Sequence, residues 1–247
     1  MPGLTLGIMQ PYFFPYIGYF ALIANTDRWV TLDVVQYRRR SWMNRNRILH
    51  PTHGWQYICA PVRHAPQGSR LTEIRLLSLE EAHRRILGQL HHYRRHAPYY
   101  QDVVSIVEKT FTDASNDDSL CALNMASLSA VCRYLGVRFD CLRCSELAVR
   151  ADDIEHPGQW ALKICGELGA TAYLNPVGGR GLFMPYEWRE AGICLRFAET
   201  AYFTYGCAPY EFQPHLSILD VMMWCSPNLV RSFLEEPRFA ENATPNS

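Results

Sequence analysis

The first 33 residues constrain the fold more than any other stretch. The run LTLGIM (4–9) is apolar without a break and stops at Gln10-Pro11, which reads as a strand buried on both faces. A turn crowded with aromatics and carrying two prolines, QPYFFPYIGYF (10–20), follows it. Then come a helix, IGYFALIANT (17–26), and a second strand, RWVTLD (28–33). Two strands joined through a helix in so short a span form a parallel crossover, since antiparallel neighbours close with a hairpin. The unit predicts an α/β fold, Rossmann-like, with a mostly parallel sheet flanked by helices. Open sheets of this kind bind ligands beyond the carboxyl ends of their strands, which is where Gln10, Tyr12 and Asp33 stand.

The rest of the chain extends the pattern. Residues 55–63 (WQYICAPVR) and 71–77 (LTEIRLL) read as strands, and a helical insertion spans roughly 79–136. It opens with a capping box, Ser78 with Glu81, carries the stripe Ala82, Ile86, Leu90, Tyr93, and stops at Gly136. A second α/β repeat follows: strand VRFDCL, helix PGQWALKICGELGA, strand TAYLNP, the glycine-rich loop VGGRGLF and strand ICLRF. A last helix is expected to start at Pro214 in PHLSILDVMMWC. With 247 residues, 48% of them hydrophobic, and no linker, one domain over 1–235 is expected, with 236–247 a disordered tail.

Charge narrows the function classes. Net charge is zero, which argues against general nucleic-acid binding. No apolar run reaches the ~18 residues of a membrane helix, and no basic leader precedes the first strand, so a cytoplasmic protein is expected. Nine cysteines at irregular spacing read as small core residues. Cys141 and Cys144 form a CxxC with no second ligand pair, so no metal site is expected.

Four stretches carry side chains suited to chemistry. In the aromatic turn, the tetrad YIGY (16–19) is similar in position to the HxGH signature of nucleotidyltransferases, with Tyr16 and Tyr19 in place of the histidines. Those aromatics either pack a corner or rim a site. The stretch DVVQYRRRSWMNRNRI (33–48) gathers five arginines with Asp33, Gln36, Tyr37, Trp42, Asn44 and Asn46. Guanidinium forks suit phosphate or carboxylate, so a local anion site is expected there, with Asn44, Arg45 and Asn46 foremost. In EFQPHLSILD, His215 follows Pro214 at the expected helix start, where the helix dipole favours a neutral imidazole able to accept a proton. Asp220 lies about 140° around such a helix from His215, so the two do not form a dyad. Ser217 suits an N-cap. The loop VGGRGLF has neither a Walker nor a dinucleotide spacing and reads as shaping access to a site.

Together these stretches resemble the WbqC-like protein family, in the family's order and over residues 8–225. The chain departs from the family's habit in having Cys225 and Ser226 where a glycine often closes the last helix. The family is associated with O-antigen and other biosynthetic clusters, and the resemblance implies an amide-forming acyl or glycyl transfer onto an amino-sugar or small-molecule amine. A carrier-protein or pantetheine thioester is the implied donor, with phosphopantetheine part of the donor and no resident cofactor. His215 is then the base, assisted by Asp33 and Gln36, with Gln10, Tyr12, Tyr16, Tyr37, Asn44, Arg45 and Asp220 binding substrate. Cys207 or Cys225 is the candidate for a covalent route. An ATP-dependent ligase and a non-catalytic carrier or ligand-binding module are the competing readings. The aromatic turn would also suit a homodimer contact.

Overall fold

The computed structural model describes residues 3–199 and 202–236, and the backbone of 239–240. Strands β1 (Thr5–Met9) and β2 (Arg28–Thr31), joined through α1 (Ile17–Ala24), are parallel neighbours. They lie in a six-stranded sheet with β5 (Cys141–Arg143), β6 (Ala172–Pro176), β7 (Cys194–Ala198) and β8 (Phe239–Ala240). The order is β5-β2-β1-β6-β7-β8; the first five are parallel and β8 is antiparallel. The chain winds outward from β1 in one direction and from β6 in the other, so the switch point of this Rossmann-like sheet lies between them.

Strand alternation sorts the two faces. Leu6, Ile8, Val30 and Tyr173 point to one side, where α5 (Gln159–Glu167) and α6 (Pro185–Glu190) close a core holding Trp188 and Phe197. Trp29 and Leu174 point to the other side, into a larger core with α1, α7 (Ile218–Trp224) and α8 (Pro227–Glu235). Between β2 and β5 the chain adds an antiparallel ribbon, β3 (Arg45–Leu49) with β4 (Trp55–Cys59). Helices α2 (Leu79–Leu90), α3 (Tyr100–Asp113) and α4 (Leu120–Leu135) complete the insertion, and ribbon and helices share that larger core. Ser78 caps α2 by accepting from the Glu81 amide, and Gly136 ends α4 at φ 67.

Several sequence expectations need correction. Residues 71–77 form no strand: the Glu73 carboxylate accepts the Arg70 amide and tightens Leu71–Glu73 into a 3₁₀ turn. The strand expected over 55–63 stops at Cys59 and pairs with β3, outside the parallel sheet; Pro61 lacks the amide to continue it. The helix expected to start at Pro214 begins instead at Ile218, with Ser217 as its cap, and is not the last. Ser226, the departure from the family's habit, caps α8, which follows at once. Within the tail expected to be disordered, Glu236 ends α8 and 239–240 pair with β7, while 237–238 and 241–247 lie outside the described residues. Among the described residues no helix is long and apolar enough to cross a membrane.

Gly7 shows how tightly β1 and β2 are matched. It pairs with Trp29, and a Cβ there would stand 2.5 Å from the indole ring, which is itself packed against Tyr19. Gly7→Ala should therefore cost about 1–3 kcal/mol through overpacking. The check is urea unfolding, with a lower midpoint and unchanged m.

Candidate functional site

The aromatic turn between β1 and α1 buries backbone carbonyls that no helix or strand satisfies, and three buried side chains supply the donors. Asn124 Nδ2 donates to the Pro11 carbonyl at 2.9 Å and to the Met43 carbonyl at 2.8 Å. Asn46 Nδ2 donates to Phe13 at 3.2 Å and Phe14 at 2.8 Å, and Ser217 Oγ donates to Phe14 at 2.7 Å. Phe14 is held at φ 40, a conformation side chains rarely adopt without such support. Phe13 and Phe14 are fully buried, while Tyr12, Pro15 and Tyr16 line a cavity. The turn is both corner and rim.

The same contacts place His215. The Ser217 amide donates to the Arg47 carbonyl at 2.8 Å, the Ile218 amide donates to Pro15 at 2.8 Å, and Ser217 bridges Tyr16. Residues 215–218 are thus laid between the turn and β3. His215 sits in the left-handed region at φ 57, and an Arg47 Nη donates to its carbonyl at 3.2 Å. Its imidazole is exposed at the rim, edge-on to Tyr16 and Tyr202 at ring separations of 6.5 and 6.3 Å. The cavity it borders is about 260 Å³, lined by Tyr12, Pro15, Tyr16, Trp42, Asn46, Arg47 and His215. It opens beside the carboxyl end of β1. Burial, then Tyr16, pushes the Tyr12 phenol up, so its hydroxyl stays a donor.

Of the expected site residues, the structure brings together Tyr12, Tyr16, Asn46 and His215 at the cavity and places the others outside its lining. Asp33 is buried, its carboxylate accepting the Ser145 amide at 2.9 Å and hydroxyl at 2.7 Å, so it ties the end of β2 to the turn that follows β5 and lies outside the cavity lining. Gln36 is exposed in a bridge to Arg70 and lies outside the cavity lining. Asn44 is buried and donates to the Ala60 carbonyl at 3.3 Å. Arg45 lies over the Tyr57 ring, 4.1 Å from its centroid, and Tyr37 lies beside Arg45 and Cys59, so neither lines the cavity. Gln10 stands at the end of β1 but outside the cavity lining, with its carbonyl accepting from Tyr19 Oη. Tyr19 itself is fully buried, so only Tyr16 of the YIGY tetrad reaches the cavity. Pro15, Trp42 and Arg47 also line the cavity, and no motif in the sequence marks them for it. Once 45–49 is recognised as a strand, period two separates outward Arg45 and Arg47 from inward Asn46.

Cysteine chemistry has little support here. Burial pushes the Cys225 thiol up to about 11, with Asp220 adding to it, and raises Cys207 as well. In the CxxC pair, burial takes Cys141 to about 11 and Cys144 to about 12. Such thiols stay protonated and are weak nucleophiles. Among the described residues no group of three or more His, Cys, Asp or Glu side chains is arranged to hold a metal ion.

A model of the WbqC-like protein family matches residues 10–232. The uncharacterized protein Rv1507c of Mycobacterium tuberculosis is 28% identical over 221 residues, covering 88% of this chain and 92% of the relative. No solved structure matches.

Asp220, expected to bind substrate, is fully buried beneath the site instead. It accepts the Tyr205 hydroxyl at 2.7 Å, the Tyr93 hydroxyl, and the Leu49 amide at 3.2 Å. Burial pushes its carboxyl up despite these donors. Between the unfolded value of about 4 and the raised folded value, the native state binds more protons. Stability relative to Asp220→Asn should therefore fall as pH rises through that window, as urea titrations from pH 4 to 7 can show. A difference that grows with pH would mean the hydrogen bonds outweigh burial.

Proposed function

The chain belongs to the WbqC-like protein family, and on that premise we propose that it is an N-acyl or aminoacyl transferase. It forms an amide on an amine of a sugar or small metabolite from a thioester donor. The observation that carries this reading is His215, an imidazole held at the rim of a cavity otherwise lined by aromatic rings, Pro15, Asn46 and one guanidinium.

A thioester is already activated, so the transfer needs a base for the amine and a charge partner for the oxyanion. In this reading the amine nitrogen attacks the thioester carbonyl while His215 takes its proton. The oxyanion faces the Arg47 guanidinium, whose Nε is buried without a hydrogen-bond partner among the described residues. Collapse forms the C–N bond and breaks the C–S bond, and the proton on His215 passes to the departing thiolate. The rings of Tyr12, Tyr16 and Trp42 flank the acyl group and exclude water.

The test is mass spectrometry of glycyl-pantetheine mixed with a panel of amino-sugars and small amines, without ATP. Amide product is expected, with kcat/KM reduced about 10²–10⁴-fold in a folded His215→Ala variant. Unchanged turnover in that variant would remove His215 from the reaction. Product only when ATP and free glycine are supplied would favour a ligase, and saturable binding with no product in either case a binding module.

A further inference from the structure

A second feature adjoins the cavity. On the outer face of the β3–β4 ribbon, Arg47 lies between two indoles, 5.4 Å from the Trp42 ring and 4.9 Å from that of Trp55. Trp55 meets Tyr57 edge-on at 5.0 Å, and Arg45 covers Tyr57 at 4.1 Å. The result is a continuous ladder, Trp42–Arg47–Trp55–Tyr57–Arg45. Its aromatic members are 36–40% exposed, among the largest apolar side chains left open to solvent. Arg45, Arg39 and Arg85 (on α2) extend it around Tyr37 and Cys59.

The segment that carries this face has charge of one sign. Residues 34–72 contain seven of the chain's 24 Lys and Arg and none of its 24 Asp and Glu. A neutral chain therefore keeps one strongly positive stretch, and the remainder is correspondingly negative. Among the described residues, Arg39, Arg45, Arg47 and Arg85 form no ion pair with a carboxylate. Stacked guanidinium groups are pre-organised, and Trp, Tyr and Arg are the residues that anchor protein interfaces.

We infer that the outer face of the ribbon docks an acidic carrier protein, which delivers the donor's pantetheine arm past Arg47 into the cavity. The identity of the partner rests on the acyl-transfer reading; the existence of an acidic protein partner rests on the face alone. The ribbon is extended, whereas the cavity is smaller than the usual 300–1,000 Å³ of a small-molecule pocket, so a ligand reaching beyond it must cross the ladder. A single-stranded nucleic acid fits less well. The Trp55 and Tyr57 faces already carry guanidinium groups, leaving little for bases to stack on, and the negative remainder of the chain would repel a strand longer than the patch.

Fluorescence anisotropy of dye-labelled holo carrier proteins from fatty-acid and peptide synthesis tests the inference without requiring turnover. Binding that weakens with salt, and weakens about tenfold or more in the Arg39→Glu/Arg85→Glu double variant, is expected. Both positions are exposed, so the variant should melt like the parent and should turn over free glycyl-pantetheine equally well. Carrier binding without transfer would sink the catalytic reading and leave the docking surface standing. Absence of binding by every carrier, equal binding by parent and variant, or tighter binding of an oligo(dT) strand would overturn the docking proposal.

Discussion

The structure turns on the buried carbonyls of the first βα turn. A parallel strand must hand the chain to its crossover helix at the carboxyl edge of the sheet, and here the turn runs through a dense aromatic corner. Carbonyls at Pro11, Phe13 and Phe14 lose water there, and an unsatisfied one costs about 1–3 kcal/mol. Asn124, Asn46 and Ser217 satisfy them. Because these donors come from α4, β3 and the cap of α7, answering one local demand fixes three remote segments on a single turn. The cavity is the space left between the turn, β3 with Trp42 before it, and the residue before the α7 cap segment, and His215 borders it because Ser217 must reach Phe14.

That dependence also explains what was legible in the sequence. β1, α1, β2 and the second α/β repeat announce themselves through apolar period and punctuation, and the Rossmann-like sheet follows from them. The ribbon does not. Its β3 strand, RNRIL, carries two arginines on the outward face, and its polar inward residue, Asn46, is there for carbonyls rather than for apolar contact. A strand whose inward residue is polar and outward residues are cationic looks like a loop. Asn44 and Asn46 differ in role for reasons invisible at sequence level: Asn44 points into the base of the ribbon and Asn46 toward the turn. Asp33 stands out in the sequence as a carboxylate at a strand end and Asp220 through its spacing from His215, yet each spends its lone pairs on donors within the fold, Ser145 in one case and two tyrosines with the Leu49 amide in the other.

Arg47 joins the two functional ideas. Its carbonyl receives Ser217, its guanidinium reaches the His215 carbonyl and borders the cavity, and the same group is stacked between Trp42 and Trp55 on the open side. A long ligand entering along the ladder would meet that side chain before it met the imidazole. This gives the aromatic face a reason to be exposed and the pocket a reason to be small.

The most direct measurement is a crystal structure with the amide isostere of glycyl-pantetheine, in which nitrogen replaces the thioester sulfur. The account predicts the isostere's carbonyl in the cavity, with its oxygen toward Arg47 and its carbon within reach of His215, and the pantetheine chain leaving across Trp42. Electron density for it elsewhere, such as beside the glycine-rich turn Val177–Leu182 after β6, would contradict the assignment of this cavity as the site of transfer.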